Sequence, residues 1–191
     1  MADRALTWIH EIRRRLESPP PRRLPVDEAR QAAVLVPLFV QEGDLHLLLT
    51  QRSQALPSHR GQIAFPGGAL ETGESVWDAA LRETQEEVGL DPGRILRLGQ
   101  LDEVASPAGF RIVPCVGAAP VPLEPVPNED EIERVFGLPL LAFADPGIAE
   151  DREVDFDGRR RAIRVYRVAD PPVWGLTARI IQGLLERLGV G

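Results

Sequence analysis

The stretch GGALETGESVWDAALRETQEEVGL, residues 67–90, ends an amphipathic helix with an acidic crowd: Glu83, Glu86 and Glu87 stand just before a glycine. Ser75 followed by Asp78 reads as a capping-box-like start, Gly89 as the terminator, and Asp91-Pro92 bars continuation, which predicts a helix over 75–88. At 100° per residue Val76, Trp77, Ala80, Leu81, Thr84 and Val88 share an arc of about 140°, the face expected to be buried. The three glutamates occupy a different arc of about 100° and converge on one face. Like charges three and four residues apart repel by about 0.2–0.5 kcal/mol per pair, and acids in the last turn face the negative end of the helix dipole. A divalent cation turns this penalty into a binding site, since Mg2+ takes oxygen ligands and joins one or two carboxylates to substrate phosphates. A solvated acidic face is the plain alternative, and the flanking residues decide against it.

Those flanks are Gly67, Gly68, Glu74, Arg82 and Gly89. The order is Gly68, five residues, Glu74, seven residues, Arg82-Glu83, two residues, Glu86-Glu87, one residue, Gly89-Leu90. It resembles the Nudix box, GX5EX7REUXEEXGU with U a bulky apolar residue; Thr84 departs from the pattern at the first U. The resemblance implies a mixed-sheet α/β fold, a Nudix-type α/β/α sandwich with an N-terminal helix added. It also implies Mg2+ or Mn2+ held by Glu83, Glu86 and Glu87, aided by the carbonyl of Gly67. Arg82 is then expected to fix the Glu86 carboxylate, and Glu74 to brace the loop. Gly67 and Gly68 allow close approach of backbone and metal because they lack a Cβ. Such a centre suits hydrolysis of a diphosphate. Glu83 is the first candidate for the general base; Glu131, in the acidic run NEDEIE (128–133), is the second, and the plain reading of that run is a charged loop or helix start.

Upstream, LLTQRSQALPSHRGQIAFPGG (48–68) resembles the signature of the coenzyme A pyrophosphatase branch of that family, roughly LLTXRSX3RX3GX3FPGG, with Pro57 where the pattern has arginine. PPVWGLTARII (171–181) resembles the branch's C-terminal segment. The implied reaction splits coenzyme A into adenosine 3′,5′-bisphosphate and 4′-phosphopantetheine. Arg52 and Arg60 are the candidates for binding the substrate's 3′-phosphate, through charge-assisted hydrogen bonds. His59 is read as a surface residue or one supporting the site from behind. ADP-ribose, NADH and nucleoside triphosphates are alternative substrates, and a nucleotide-binding regulatory module without turnover is the alternative of another class.

Composition narrows the rest. The chain has 191 residues, 43% of them apolar, enough for one substantial core. A formal net charge of −7 argues against nucleic acid and anionic membranes as partners. All 22 basic residues are arginine, so Schiff-base and P-loop lysine chemistry are excluded. The single cysteine, Cys115, reads as a small buried hydrophobe in the strand-like FRIVPCVG, and the composition fits a reducing, cytoplasmic setting. No apolar run is long enough to cross a membrane as a helix.

Residues 1–29 are expected to form an N-terminal helix and a Pro-rich linker, and 30–191 the catalytic domain. Trp8, Ile9, Ile12 and Leu16 give that helix (3–17) an apolar stripe, from which a homodimer is expected. Strands are predicted at 32–40, 45–52, 62–65, 95–105, 110–118, 152–156 and 161–168, with a hairpin turn at Asp157-Gly158 and an exposed basic tip at Arg159, Arg160 and Arg161. Further helices are predicted around 138–144 and over 176–188.

Overall fold

A computed structural model describes residues 2–25, 30–156 and 159–190. The Asp157-Gly158 turn and linker residues 26–29 lie outside the described residues, as do the side chains of Arg159 and Arg161. The element order is α1 (Ala2–Glu17), β1 (Arg30–Gln41), β2 (Asp44–Arg52), β3 (Ile63–Ala64), β4 (Gly67–Ala69), α2 (Val76–Val88), β5 (Leu96–Gln100), β6 (Val104–Ala105), β7 (Phe110–Ala118), β8 (Ile132–Pro139), β9 (Ala149–Phe156), β10 (Arg159–Tyr166), β11 (Val173–Trp174) and α3 (Gly175–Leu188).

Eight strands form one mixed sheet whose main path is β3-β2-β1-β7-β5. Among the described residues only β1 and β7 pair in parallel; β4 pairs with β1, β6 with β7 and β8 with β2, all antiparallel. Both faces of the sheet are buried, and alternate side chains of each central strand go to different cores. From β1, Ala33, Leu35 and Phe39 meet Ala80, Leu81 and Val88 of α2. Val36 and Leu38 point the other way, with Leu47 and Leu49 of β2, into a core shared by Ile12 and Leu16 of α1 and by Ile180, Ile181 and Leu184 of α3. This is the expected α/β/α sandwich with its N-terminal helix.

The stripe on α1 that prompted a dimer is covered within the chain. Ile12 and Leu16 are fully buried, and Trp8 and Ile9 pack against the same core. Among the described residues, no helix is long and apolar enough to cross a membrane.

Three element predictions change. The single strand expected at 95–105 is cut into β5 and β6, because Asp102 and the buried Glu103 are engaged in holding the segment after α1. Asp102 accepts from the Arg22 backbone N–H and from Arg187, while Glu103 accepts from the Leu24 N–H and from Arg23. Residues 132–139, unassigned or read as the start of a helix, form β8, which lies against β2 from Leu47↔Leu138 to Arg52↔Ile132. Its charged residues, Glu133 and Arg134, stay exposed, which hid the strand in a sequence scored by hydropathy. The helix around 138–144 is a short 3-10 turn, Leu140–Ala144, since Pro139 ends the strand just before it.

α2 forms where expected. Ser75 Oγ accepts the Asp78 N–H at 3.2 Å and donates to the Asp78 carboxylate, a cap that satisfies helix donors and offers acid to the positive end of the dipole. Gly89 takes φ 70° and its N–H returns to the Gln85 carbonyl, a left-handed stop that a side chain would strain.

Candidate active site

β1 supplies the frame for the site. Its second half pairs with β2, while its first half pairs with β4 through Ala33↔Gly68 and Val34↔Gly67. That register brings the two box glycines alongside α2. The Glu83 carboxylate lies directly over Gly68: a Cβ built there would stand 2.5 Å from Glu83 Cδ, inside van der Waals contact.

Arg82 organises the exposed half of the cluster. Its guanidinium donates twice to Glu74 (2.9 and 3.1 Å), and once each to Glu83 Oε1 (2.9 Å), Glu86 Oε2 (3.2 Å) and the Ala69 carbonyl (3.2 Å). Glu74 in turn accepts the Glu71 N–H at 2.9 Å, closing the loop between β4 and α2. The planar fork of arginine serves several carboxylates at once, which a lysine could not match. The bonds to Arg82 hold Glu74 below its ordinary carboxylate range, and Glu74 and Glu83 hold Arg82 more firmly protonated.

Glu87 does not share the exposure of Glu86, whose side chain is 58% exposed. It is 4% exposed and sits at the seam between helix and sheet. Oε2 accepts the Gly67 N–H at 3.2 Å and Oε1 the Arg52 guanidinium at 3.4 Å. Burial pushes its pKa from 4.5 up to about 7; Arg52 and the Gly67 N–H pull it down, and the charges of Glu83 and Glu131 push it further up. Glu131 thus lies within electrostatic reach of the cluster. The backbone holds it there: Asn128 donates to the Glu87 carbonyl, Glu131 to the Asn128 carbonyl, and Ser53 to the Glu131 carbonyl.

The structure therefore gathers Gly67, Gly68, Glu74, Arg82, Glu83, Glu86, Glu87, Glu131 and Arg52. It leaves Arg60 apart, exposed on the loop between β2 and β3 with its Nε bonded to the Leu56 carbonyl. Next to it His59, at φ 55°, contacts Gln62 through Nδ1. Sequence reasoning missed the Arg52–Glu87 contact, which joins residues 35 apart across strand and helix; no local spacing signals it. Cys115 is a buried core residue, its thiol pushed up to about 12 by the same desolvation.

Among the described residues, no three acidic, His or Cys side chains are closed around a common point as a ready metal cage. Arg82 spreads its bonds over Glu83 and Glu86, and Gly67 and Arg52 occupy the two oxygens of Glu87. The donor set still fits a hard cation. It consists of carboxylate oxygens, one pair of them set against Gly68 where any side chain would displace them, and a buried carboxylate whose desolvation its present partners leave undercompensated. One surface hollow, of about 370 Å³, is lined by Phe39, Val40, Gln41, Glu42, Val121, Pro122 and Leu123, none of which belongs to the cluster.

Comparison with known proteins matches residues 29–157 to the NUDIX domain. The chain is 43% identical over 169 residues to the Nudix hydrolase NudL of Pectobacterium atrosepticum, covering 86% of each chain. To NudL of Klebsiella pneumoniae subsp. pneumoniae it is 40% identical over 191 residues, 99% of this chain and 98% of that one. Among solved structures it resembles the Nudix hydrolase RenU of M. smegmatis, with a TM-score of 0.51 and 25% identity over 59% of this chain and 71% of the other.

Proposed function

The chain belongs to the Nudix hydrolase family, and from that premise we propose that it hydrolyses the diphosphate of coenzyme A. The products are adenosine 3′,5′-bisphosphate and 4′-phosphopantetheine. The observation that carries the hydrolytic reading is the convergence of Glu83, Glu86 and Glu87 around Arg82 and β4. The LLTQRS and FPGG segments on either side of the site favour coenzyme A over other diphosphates.

Glu83, Glu86 and Glu87 with the Gly67 carbonyl would hold Mg2+ or Mn2+, which when bound neutralises phosphate charge and makes water more acidic. The chain's own residues do the rest. Arg82 holds the Glu83 and Glu86 carboxylates side by side, and Glu74 keeps Arg82 in place. Glu83 or Glu131 accepts the proton of the attacking water as its oxygen bonds to phosphorus. The P–O bond to the bridging oxygen breaks, and its electron pair leaves with the departing phosphate. Arg52, beside the carboxylates, is placed to receive a substrate phosphate. Arg60 would reach the 3′-phosphate only from its exposed loop.

The test is mass-spectrometric product analysis of the purified protein with Mg2+ or Mn2+ and, in parallel, coenzyme A, ADP-ribose, NADH and nucleoside triphosphates, with Glu86→Gln as control. Preferential release of 4′-phosphopantetheine by the wild type alone supports the full reading. Cleavage of another diphosphate with coenzyme A left intact refutes the substrate but keeps the chemistry. No turnover of any compound moves a nucleotide-binding regulatory module to first place.

A further inference from the structure

Two arginines touch the carboxylates of the site, and they are held very differently. Arg82 makes five hydrogen bonds to four groups and is locked. Arg52 has a fixed backbone and a loosely held head. Its N–H donates to the Gln62 carbonyl, its carbonyl accepts from Gly61, and the next residue, Ser53, donates to Glu131, all within 3.0 Å. Its guanidinium makes one long contact, 3.4 Å to Glu87 Oε1, with the arginine side chain 25% exposed and the glutamate side chain 6%.

A guanidinium and a divalent cation cannot share one carboxylate oxygen without strong mutual repulsion in a partly desolvated site. Building on the metal site proposed above, we infer that Arg52 is a resident counter-ion of Glu87. A divalent cation displaces it from that carboxylate, and the released head then binds a phosphate of the diphosphate substrate. Arg52 is thus a positioning residue that couples metal entry to substrate capture. It occupies Glu87 while the metal is absent and becomes available to phosphate when the metal is present. Its removal therefore has opposite effects on the two ligands: metal binds more tightly and substrate more weakly.

The experiment titrates Mn2+ into substrate-free protein at pH 8.5, following free Mn2+ by electron paramagnetic resonance. The proteins are wild type, Arg52→Gln, Arg52→Lys, Glu87→Gln and the Arg52→Gln/Glu87→Gln double variant. Arg52→Met, which keeps the apolar stem, replaces Arg52→Gln if that variant does not fold. Arg52→Gln is expected to bind Mn2+ roughly three- to ten-fold more tightly than wild type, the competition expected of one partly exposed ion pair. Arg52→Lys, which keeps the charge, stays within about two-fold of wild type. In the Glu87→Gln background the Arg52 substitution leaves Mn2+ affinity unchanged. At saturating metal, Arg52→Gln raises KM for the diphosphate substrate more than it lowers kcat. A merely structural role would leave Mn2+ affinity unchanged or weaken it. Wild type that binds no Mn2+ overturns the metal site itself. Wild type that binds, with Arg52→Gln equal or weaker, overturns only the counter-ion role. Tightening that persists without Glu87, or that Arg52→Lys reproduces, also overturns it, because the effect would then come from neither the pair nor the charge.

Discussion

Replacing Glu87 by Gln should stabilise the metal-free protein while disabling it. Burial lifts the Glu87 pKa from 4.5 to about 7, so at pH 8 the folded state carries a carboxylate that it holds less well than water does. A shift of that size corresponds to about 3 kcal/mol of destabilisation. The amide oxygen of a glutamine can keep the Gly67 hydrogen bond, and the loss of the Arg52 contact is already contained in the net shift, which Arg52 lowers. The expectation is a gain of about 3 kcal/mol, or roughly 6–12 °C in Tm for a domain of this size. The pH dependence follows from the direction of the shift. A carboxylate whose folded pKa is raised destabilises nothing below about pH 4.5, where it is neutral in both states. Its penalty grows as pH rises from 4.5 to 7 and is complete above. Thermal unfolding in EDTA at pH 5 and pH 8 reads this directly: the variant gains at pH 8 and the gap nearly closes at pH 5. With saturating Mn2+ the order reverses, since only the wild type is stabilised by a ligand that needs the carboxylate. A variant less stable than wild type at pH 8 in EDTA, or a gap equal at both pH values, refutes the account of Glu87 as a desolvated ligand held in reserve.

Gly68→Ala places a methyl group against the Glu83 carboxylate, so kcat should fall by about 100-fold through misplacement while Tm changes little; steady-state kinetics beside calorimetry separate the two. Arg82→Lys keeps the charge but loses the fork that serves Glu74, Glu83 and Glu86 at once. It should lose about 10- to 100-fold in kcat/KM, and wild-type kinetics from that variant would sink the positioning role. Asp102→Asn loosens the segment after α1. Burial pushes Asp102 up, but hydrogen bonds from the Arg22 backbone and side chain and from Arg187 outweigh it and bring it to about 2. A depressed carboxylate stabilises above its unfolded pKa, and that benefit fades as pH falls from about 4 through 2. The variant should lose about 1 kcal/mol at pH 7 after solvent screening and nothing near pH 2, as read by urea melts at both.

The sandwich was readable because its strands are apolar runs and α2 carries its own start and stop signals. Leu47, Leu48 and Leu49 mark a strand buried on both faces, and Ser75 and Gly89 bracket the helix. β8 escaped because an edge strand can expose Glu133 and Arg134 and still pair fully with β2. The break at 101–103 escaped because its cause lies 80 residues away, in Arg22. At the site, spacing grouped the glutamates, and at 100° per residue Glu87 falls between Val76 and Ala80 at the edge of the apolar arc, but the groups that meet its buried carboxylate, the Gly67 N–H and Arg52, come from the sheet and leave no local signal. Arg52 illustrates the same limit. A motif placed it near phosphate, while its contact with Glu87 is a property of the folded seam.

The shared core of α1 and α3 has a consequence for synthesis. The Arg15 guanidinium bonds the Leu188 carbonyl across a separation of 173 residues, so during synthesis α1 waits for that partner until α3 has emerged. Strand β5 offers Leu16 partial cover about halfway through that interval. At typical elongation rates of about 5–20 residues per second, the remaining apolar stripe stays uncovered for roughly 10 to 35 s. During that interval the α2 side of the sheet can largely close on its own, since its fully buried residues lie between 33 and 119 and, among the described residues, only Leu123 and Val135 are added later. The nascent protein therefore carries its α2 layer ahead of its other half, and α1 is exposed to chaperones and proteases until α3 arrives.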